Sequence, residues 1–442
     1  MVRGRRRSIR ACRRRKEKIK ITPTEERFST PCGRFIGKTS FLKSAARAAS
    51  CAQVSSRNFA TSYRFPELEA RMKRLAKFNS VSLVLALKLT CAAYAVSAQA
   101  LAEWDKTLAA AKKEGIVVVG IPASNELRVL IGERFKSKFG ISIELMSARG
   151  PENVTRINTE YSAGVRYYDI LVAGGATPLA MVSAGSADDL NSYLILPEVK
   201  DPKYWWGGHI WEDNISTKKH AYAFLCYTSE TWWYNSKEAD ASEIRSFDDL
   251  LNPKWKGRIG FLDPRNPGSG QNTWSFIWKV KGEEFLTKLA QQEMLITQNQ
   301  RQMADSLAKG KLAFTVGLSH YTYEPFIKAG LPVKPVSRIK EGAHANNGSG
   351  VISVVKNPPH PNATKIFVNW LLSKEGQELY GRAMTQGSRR LDVNTEWLKE
   401  YGSQGCKDVM TVDDYLKLET HLESSVKKIR MPATALAAKL LK

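Results

Sequence analysis

Two glycine-bearing turns, a few cations and a small set of aromatic residues have the types and spacing to do chemistry in this sequence. Pro267-Gly268-Ser269-Gly270 stands just before a long helical run. Glycines in that place leave the first N–H groups of the helix free to face a ligand, and the helix dipole favours an anion there. Ser269 adds a hydroxyl; the plainer alternative is an ordinary helix cap. Gly174-Gly175-Ala176-Thr177 follows the apolar run Tyr168–Ala173, where the same logic applies. Ser124 follows the run Ile116–Gly120 and reads either as a ligand contact or as an N-cap. Arg149 follows the next such run. It can grip a carboxylate or phosphate with two parallel N–H bonds, or form a surface ion pair. Arg156 on the following helix is an alternative for that role. Tyr227, Trp274, Tyr321 and Asn347 are the further contacts expected to line a ligand cleft, with core packing as the competing reading for the aromatics. Asp263 and Arg265 read as an internal pair.

One metal deserves separate treatment. Hard ferric ion selects anionic oxygen ligands such as tyrosinate. His320-Tyr321-Thr322-Tyr323 offers His320 and Tyr321 as candidate ligands, with the second tyrosine two residues further on. Tyr167 and Tyr168 are adjacent, but they open a strand rather than follow one, and read as packing residues.

Catalytic constellations are harder to find. The sequence has no G-x-S-x-G elbow, no H-E-x-x-H and no C-x-x-C, and its six histidines (209, 220, 320, 344, 360, 421) are scattered. A binding protein is therefore expected rather than an enzyme. An exported enzyme using the same cleft is the alternative.

The 442 residues carry a formal net charge of +24. Residues 1–71 hold 19 of the 67 Lys and Arg but only 5 of the 43 Asp and Glu, so much of the excess is local. Read alone, residues 1–20 suggest a nucleic-acid-binding arm. They are read here as upstream sequence preceding a secretory leader. That leader is residues 72–100: the cationic Met72-Lys73-Arg74-Leu75-Ala76-Lys77, an apolar run over 81–96 interrupted by Lys88, and Ser97-Ala98-Gln99-Ala100 at its end. The apolar run is shorter than the roughly 20 residues a spanning helix needs. Cleavage after Ala100 would place the protein in the periplasm and leave only Cys226 and Cys406 of six cysteines, either paired or as two buried thiols.

The positioning elements follow from periodicity. Helix 104–113, strand 116–120, a helix from Ser124 to about Lys138, strand 141–146, a helix from Pro151 to near Gly164 and strand 168–173 give βαβαβ order, hence a parallel sheet with right-handed crossovers. Residues 221–235 form a long extended stretch. A second series follows: strand 258–262, helix 270–291, strand 294–298, helix 302–309 and strand 312–318. A second extended stretch covers 346–355, and a helix over 362–384 closes the core. This predicts lobe one over 101–222, lobe two over 223–345 and a return to lobe one with C-terminal helices over 346–442. Ligands in such folds sit at the carboxyl ends of strands and the amino ends of helices.

Specific segments carry a resemblance. Ser246-Phe-Asp-Asp-Leu-Leu-Asn-Pro-Lys-Trp-Lys-Gly257, the Asp263–Gly270 box, Tyr321–Phe326 with Lys328-Ala-Gly-Leu-Pro332, and Asn369-Trp-Leu-Leu-Ser-Lys-Glu-Gly376-Gln resemble segments of the iron(III)-type extracellular solute-binding family. These are periplasmic solute-binding proteins of ABC importers. The resemblance spans about residues 101–400. It implies a type II periplasmic-binding-protein fold of class α/β, with two lobes, each a mostly parallel sheet flanked by helices, and two hinge crossings. It also implies membrane permease subunits as partners and a monomer that binds no nucleic acid. The transported ligand would be ferric ion or a small organic or phosphorylated anion, and no cofactor is otherwise expected.

Overall fold

The computed structural model describes residues 99–442, apart from 230, 231, 337, 338, 343 and 442 and the side chains of Ser229 and Tyr321. The basic segment 1–71 and positions 72–98 of the expected leader lie outside the described residues. A helix, α1, covers 99–114. Three parallel strands follow: β1 (Ile116–Ile121), β2 (Ser142–Ser147) and β3 (Ile170–Ala173), in the order β2-β1-β3. Between them run α2 and α3. The first is assembled from Asn125–Leu127, a π-helical stretch Arg128–Glu133 and Arg134–Phe139; α3 is Gly150–Ser162. A short α4 (Leu179–Ala184) follows β3.

The apolar runs are continuous because both sheet faces are covered. Val117, Val119 and Ile121 point into a core with Ile131, Phe135, Phe367 and Trp370. Leu171 and Ala173 face the other way, against Val154, Ile157 and Met181. Gly120 lies under this second layer. A Cβ there would stand 3.2 Å from the side chains of both Leu171 and Tyr168, tighter than ordinary contact, so those neighbours would have to give way.

Lobe two repeats the plan. Its sheet comprises β6 (Trp232–Asn235), β7 (Ile259–Leu262), β8 (Leu295–Thr297), β9 (Phe314–Val316) and β10 (Val333–Pro335), in the order β10-β6-β9-β7-β8. Strands β8, β7 and β9 are parallel, and β6 runs against β9. The crossovers are α5 (Ser269–Ala290) and α6 (Gln300–Ala308); α7 (His320–Lys328) follows β9. The expected single helix over 270–291 is broken at Gly282, whose φ of 81° and ψ of 178° no helix accommodates.

Two short elements join the lobes. β4 (Tyr222–Ala223) and β12 (Val351–Val354) complete the lobe-one sheet, both antiparallel to their neighbours. Between the lobes, β5 (Tyr227–Ser229) pairs with β11 (Ala345–Asn346) on one side and β13 (Ser403–Gly405) on the other. The hinge thus has a third strand besides the two expected crossings. The helix expected over 362–384 is two, α8 (Pro361–Leu372) and α9 (Lys374–Met384). Ser373 makes the break by capping α9, its hydroxyl accepting from Gly376 N at 3.3 Å.

After β13 the chain continues through α10 (Cys406–Val409) and α11 (Val412–Leu418) to a final helical run, α12, made of Glu423–Ser425, a π-helical stretch Val426–Arg430 and Met431–Leu440. Ala433, Leu436, Ala437 and Leu441 are buried in the lobe-two core. The C-terminal stretch therefore does not stay with the lobe-one return but ends on the second lobe.

Cys226 and Cys406 form a disulfide with Cα atoms 5.4 Å apart, joining β5 to the start of the C-terminal segment across a sequence separation of 180. A cross-link closing so long a loop restricts the unfolded chain strongly. Reduction, or the paired change C226S/C406S, is expected to lower the unfolding free energy by about 2–5 kcal/mol, read as a fall in the urea midpoint. A loss under about 1 kcal/mol would mean that strand pairing alone fixes the hinge.

Candidate functional site

The carboxyl ends of β3 and β7 each lead into one of the glycine turns, and the predicted residues distribute themselves around those ends unevenly. In lobe two, α5 begins where β7 ends. Its N-cap is Gly268, with φ of 147° and no side chain to satisfy the helix amides. Gly270 is required by proximity: a Cβ there would lie 2.2 Å from the Leu262 carbonyl oxygen. The same tight corner holds Gly317, with φ of 97°, against Gly270. The amino end of a 22-residue helix is thereby pressed onto the strand ends, with Pro267 and Gly268 exposed and Ser269 half-buried. Asp263 and Arg265 do pair, at 2.9 Å, and so leave this end without a free cation from that box.

In lobe one, the Gly174–Gly175 turn sits against the second hinge crossing. A Cβ on Gly174 would lie 2.6 Å from the Gly348 carbonyl oxygen, and Gly175 N donates to that oxygen at 3.3 Å. Ala176 N donates to both carboxylate oxygens of Glu212 (3.2 and 3.1 Å). Asn347 is buried and donates its amide to Glu212. Arg430, from the last helical run, is buried and donates Nη1 to the Gly175 carbonyl at 2.9 Å. His421 and Tyr415 bond to each other at 2.7 Å beside this cluster. Thus Gly174, Gly175 and Asn347 come together, but behind a buried polar layer supplied by the C-terminal segment.

The remaining candidates separate from that group. Ser124 caps α2, accepting from Leu127 N at 3.3 Å, and donates to Glu126 at 3.0 Å. Arg149 is engaged by Glu152 of its own helix at 2.7 Å, with its side chain 80% exposed, so its charge is already answered. Arg156 is engaged by Glu160 at 3.1 Å and lies over the rings of Tyr167 and Tyr168. Tyr168 is buried and packs, whereas Tyr167, expected to do the same, is exposed and donates its hydroxyl to Glu144 at 2.7 Å. Trp274 is fully buried, set edge-on to Phe261, with its indole N–H on the Ala433 carbonyl at 2.9 Å; it belongs to the lobe-two core, not to a cleft wall. Tyr227 is buried in the central hinge strand. His320 opens α7, half-buried, its ring 5.9 Å from that of Trp233 and 5.8 Å from that of Tyr401, which lies in the return past lobe one. Tyr321 is in the same helix; its side chain lies outside the described residues. Among the described residues, no three His, Cys, Asp or Glu side chains are grouped to hold a metal ion. A cavity of about 220 Å³ opens elsewhere, lined by Arg382, Gln386, Asn394 and Trp397, and none of the predicted residues lines it.

Local sequence gave no sign of Glu212, His421 or Arg430. Glu212 directly follows the aromatic run ending at Trp211, but His421 and Arg430 stand in no such pattern, and only the return of the C-terminal segment brings those two to the Gly174–Gly175 loop. Buried charges of both signs in one cluster leave large marks on titration. Burial lifts Glu212 to about 7, against the Ala176 amide, Asn347 and Arg430. Burial also lowers Arg430 to about 10, still protonated at neutral pH, while Glu212 and Glu419 work to raise it. His344 is held down to about 3 and His421 well below its ordinary value, first by burial and then by Arg430.

Two α/β lobes of matching strand order, joined by hinge strands, with helix and strand ends converging on the junction, define a two-lobed binding protein. Residues 131–402 match the family described as bacterial extracellular solute-binding protein, and the chain belongs to that family. An uncharacterized protein of Haemophilus influenzae is 23% identical over 312 residues, which is 69% of this chain and 83% of that one. Iron-bound HitA from Pseudomonas aeruginosa shares the fold with a TM-score of 0.55 at 18% identity, covering 74% of this chain and 99% of that one. FutA of Trichodesmium, in complex with iron and citrate, gives 0.56 at 18%, with the same coverage. AfuA of Actinobacillus pleuropneumoniae, with fructose-6-phosphate bound, gives 0.51 at 19%, covering 74% and 97%. The solved structures are periplasmic binding proteins of the expected two-lobed type.

The titration of the buried cluster has a definite sign. Unfolded histidine takes a proton below about 6.5 that folded His344 and His421 refuse, so both remove stability as pH falls from 6.5. Glu212 is protonated in the fold near 7 but in the unfolded chain only near 4.5, so it adds stability over the same window. Two histidines outweigh one carboxyl. Stability is expected to fall between pH 6.5 and 5, with His344 alone contributing on the order of 2 kcal/mol. Glu212→Gln should steepen that loss. Urea unfolding across this range checks it; a flat or rising wild-type profile would refute the buried, neutral histidines.

Proposed function

We propose that this protein is the periplasmic solute-binding component of an ABC importer, that it captures a small organic or phosphorylated anion between its lobes, and that the loaded form docks on membrane permease subunits. The observation that carries this reading is the amino end of α5. A 22-residue helix ends in Gly268, without a capping side chain, at the carboxyl edge of β7. Its first N–H groups and the Ser269 hydroxyl make an anion seat that needs no lysine or arginine. The junction of the lobes provides the second wall, and closure of two lobes about a hinge is an established way to enclose a solute. Export, which this role requires, rests on the leader at residues 72–100. The sugar phosphate in AfuA supports an anionic ligand for a protein of this fold.

A second reading, ferric ion, is favoured by His320. Burial first of all lowers its affinity for protons, so the imidazole is neutral at pH 7 and available as a ligand, and Tyr321 follows it directly. The iron in HitA and FutA supports it.

Thermal-shift measurements on residues 101–442 with fructose 6-phosphate, inorganic phosphate, citrate and ferric citrate separate the readings. At 100 times Kd a bound solute adds about 2.7 kcal/mol. For the anion reading, Ser269→Pro should keep the helix, since proline suits the first helical position, but remove one N–H and the hydroxyl. Affinity is then expected to fall at least about tenfold, roughly the 1.4 kcal/mol or more of a hydrogen bond to a charged group. A shift with ferric citrate but not citrate, abolished by Tyr321→Phe, would replace the anion reading with the ferric one. No shift with any small solute would sink both.

A further inference from the structure

We propose that residues 406–441 form a strap tied to the hinge and to both lobes, and that Arg430 is a positioning residue through which solute affinity depends on that strap. The proposal rests on the reading of the lobe junction as a solute site, and it concerns residues beyond 402, where the family match ends.

The strap is anchored at its start, in its middle and at its end, and Glu423 and Ser424 hold it to residues 214–216 of lobe one as well. At its start, the Cys226–Cys406 disulfide and the pairing of Ser403–Gly405 with Tyr227–Ser229 fix it to the first crossing. In its middle, the Arg430 guanidinium holds the Gly175 carbonyl, where the surroundings of Gly175 are tight. A Cβ there would stand 3.0 Å from Asn347 Oδ1, 3.3 Å from His421 Cβ and 3.6 Å from Arg430 Nη2. At its end, the helix following Arg430 lies along α5. The Ala433 carbonyl accepts from Trp274 Nε1 at 2.9 Å, Thr434 Oγ1 accepts from Gln271 Nε2 at 3.1 Å, and the Leu441 carbonyl accepts from Arg265 Nη1 at 2.9 Å.

Arg430 and Thr434 are one helical turn apart, about 6 Å along the axis, and Thr434 Oγ1 donates back to the Arg430 carbonyl at 2.8 Å. A single turn therefore joins the Gly174–Gly175 loop of lobe one to the first turn of α5 in lobe two. These loops cannot move relative to each other without breaking the Arg430–Gly175 bond or sliding Ala433 and Thr434 along α5. The second alternative disturbs Leu436, Ala437 and Leu441, which are buried in the lobe-two core. The strap thus sets how far apart the two loops stand when the lobes meet. Arg430 transmits that setting to the Gly174–Gly175 loop through one buried, charged hydrogen bond, beside the bonds by which Glu423 and Ser424 hold residues 214–216 of the same lobe.

Arg430→Lys tests this, because it keeps the buried positive charge opposite Glu212 and Glu419 while losing the planar fork. Gln271→Ala, which cuts the strap at its other anchor on a partly exposed side chain, is the milder companion in case Arg430→Lys folds poorly. Amide hydrogen exchange on the unliganded full-length chain is the first readout. Each variant should raise exchange at least threefold at residues 174–177 and also at 269–274, leaving the strands 116–121 and 259–262 unchanged. A purely local or structural role would confine the change to the mutated side or spread it over the whole chain; either result overturns the strap. Fructose 6-phosphate binding by calorimetry is the second readout, with affinity expected to fall about tenfold in Arg430→Lys. Unchanged affinity in a variant that shows the coupled exchange would remove Arg430 from solute binding. If fructose 6-phosphate does not bind the wild type, the anion that shifts its melting takes its place; if none does, it is the anion reading of the site that fails, and the exchange pattern still decides the strap.

Discussion

The pairing of three short strands at the hinge is the constraint on which the rest of the structure depends. Tyr227–Ser229 lies between Ala345–Asn346 and Ser403–Gly405, antiparallel to both. Each lobe is a complete α/β layer with its own core, and neither core reaches across. Backbone pairing over so few residues is weak by itself, since two or three ladder bonds of about 1 kcal/mol each compete with water. The disulfide at one end of this small sheet removes the freedom of the third strand to peel away. Once that strand is fixed, the C-terminal segment must leave the hinge at a defined point and direction, and it can cover the Gly174–Gly175 loop before ending on α5.

The polar cluster under that segment follows from the same geometry. Three elements far apart in sequence bring Glu212, Asn347 and Arg430 to one buried place. A buried carboxylate and a buried guanidinium are costly unless they are bonded. Here the carboxylate receives the Ala176 amide and the Asn347 side chain, and the guanidinium donates to the Gly175 carbonyl. Two of these bonds, at the Gly175 carbonyl and the Ala176 amide, fall on one four-residue turn. The turn expected to greet a ligand is thus also the point at which the C-terminal segment is joined to lobe one. In lobe two the division of labour differs: Gly268 and Ser269 remain on the open side of the corner, while Gln271 and Trp274 further along α5 take the strap.

Much of the architecture was legible before any coordinates. Continuous apolar runs such as Ile116–Gly120 and Tyr168–Ala173 could only be strands covered on both faces, and the alternation with helical periodicity implied two parallel sheets. The two long extended stretches at 221–235 and 346–355 announced the crossings. The breaks were less visible. Gly282 and Ser373 interrupt patterns that read as single helices: the causes are local, a glycine at positive φ and a serine cap, but a lone Gly or Ser within a long apolar-periodic run does not by itself mark a break. The site was legible only in its backbone features. The glycines at 174, 175, 268 and 270 were marked by their spacing, whereas Arg149 and Ser124, chosen for charge and position, satisfy themselves locally with Glu152, Glu126 and a helix amide. Trp274, expected at a cleft wall, was drawn into the core by the helix that later lies across it.

By itself the sequence determined the fold class, the family resemblance, the two-lobed order and the glycine turns at the strand ends. These are properties of periodicity and of backbone conformation, which are written over a few neighbouring residues. The tertiary structure alone decided that Cys226 meets Cys406, that a third strand joins the hinge, and that Arg430 reaches Gly175. Those contacts join residues separated by 174 to 255 positions. Their partners are chosen by which surfaces remain open after the lobes have folded, and no local pattern carries that information.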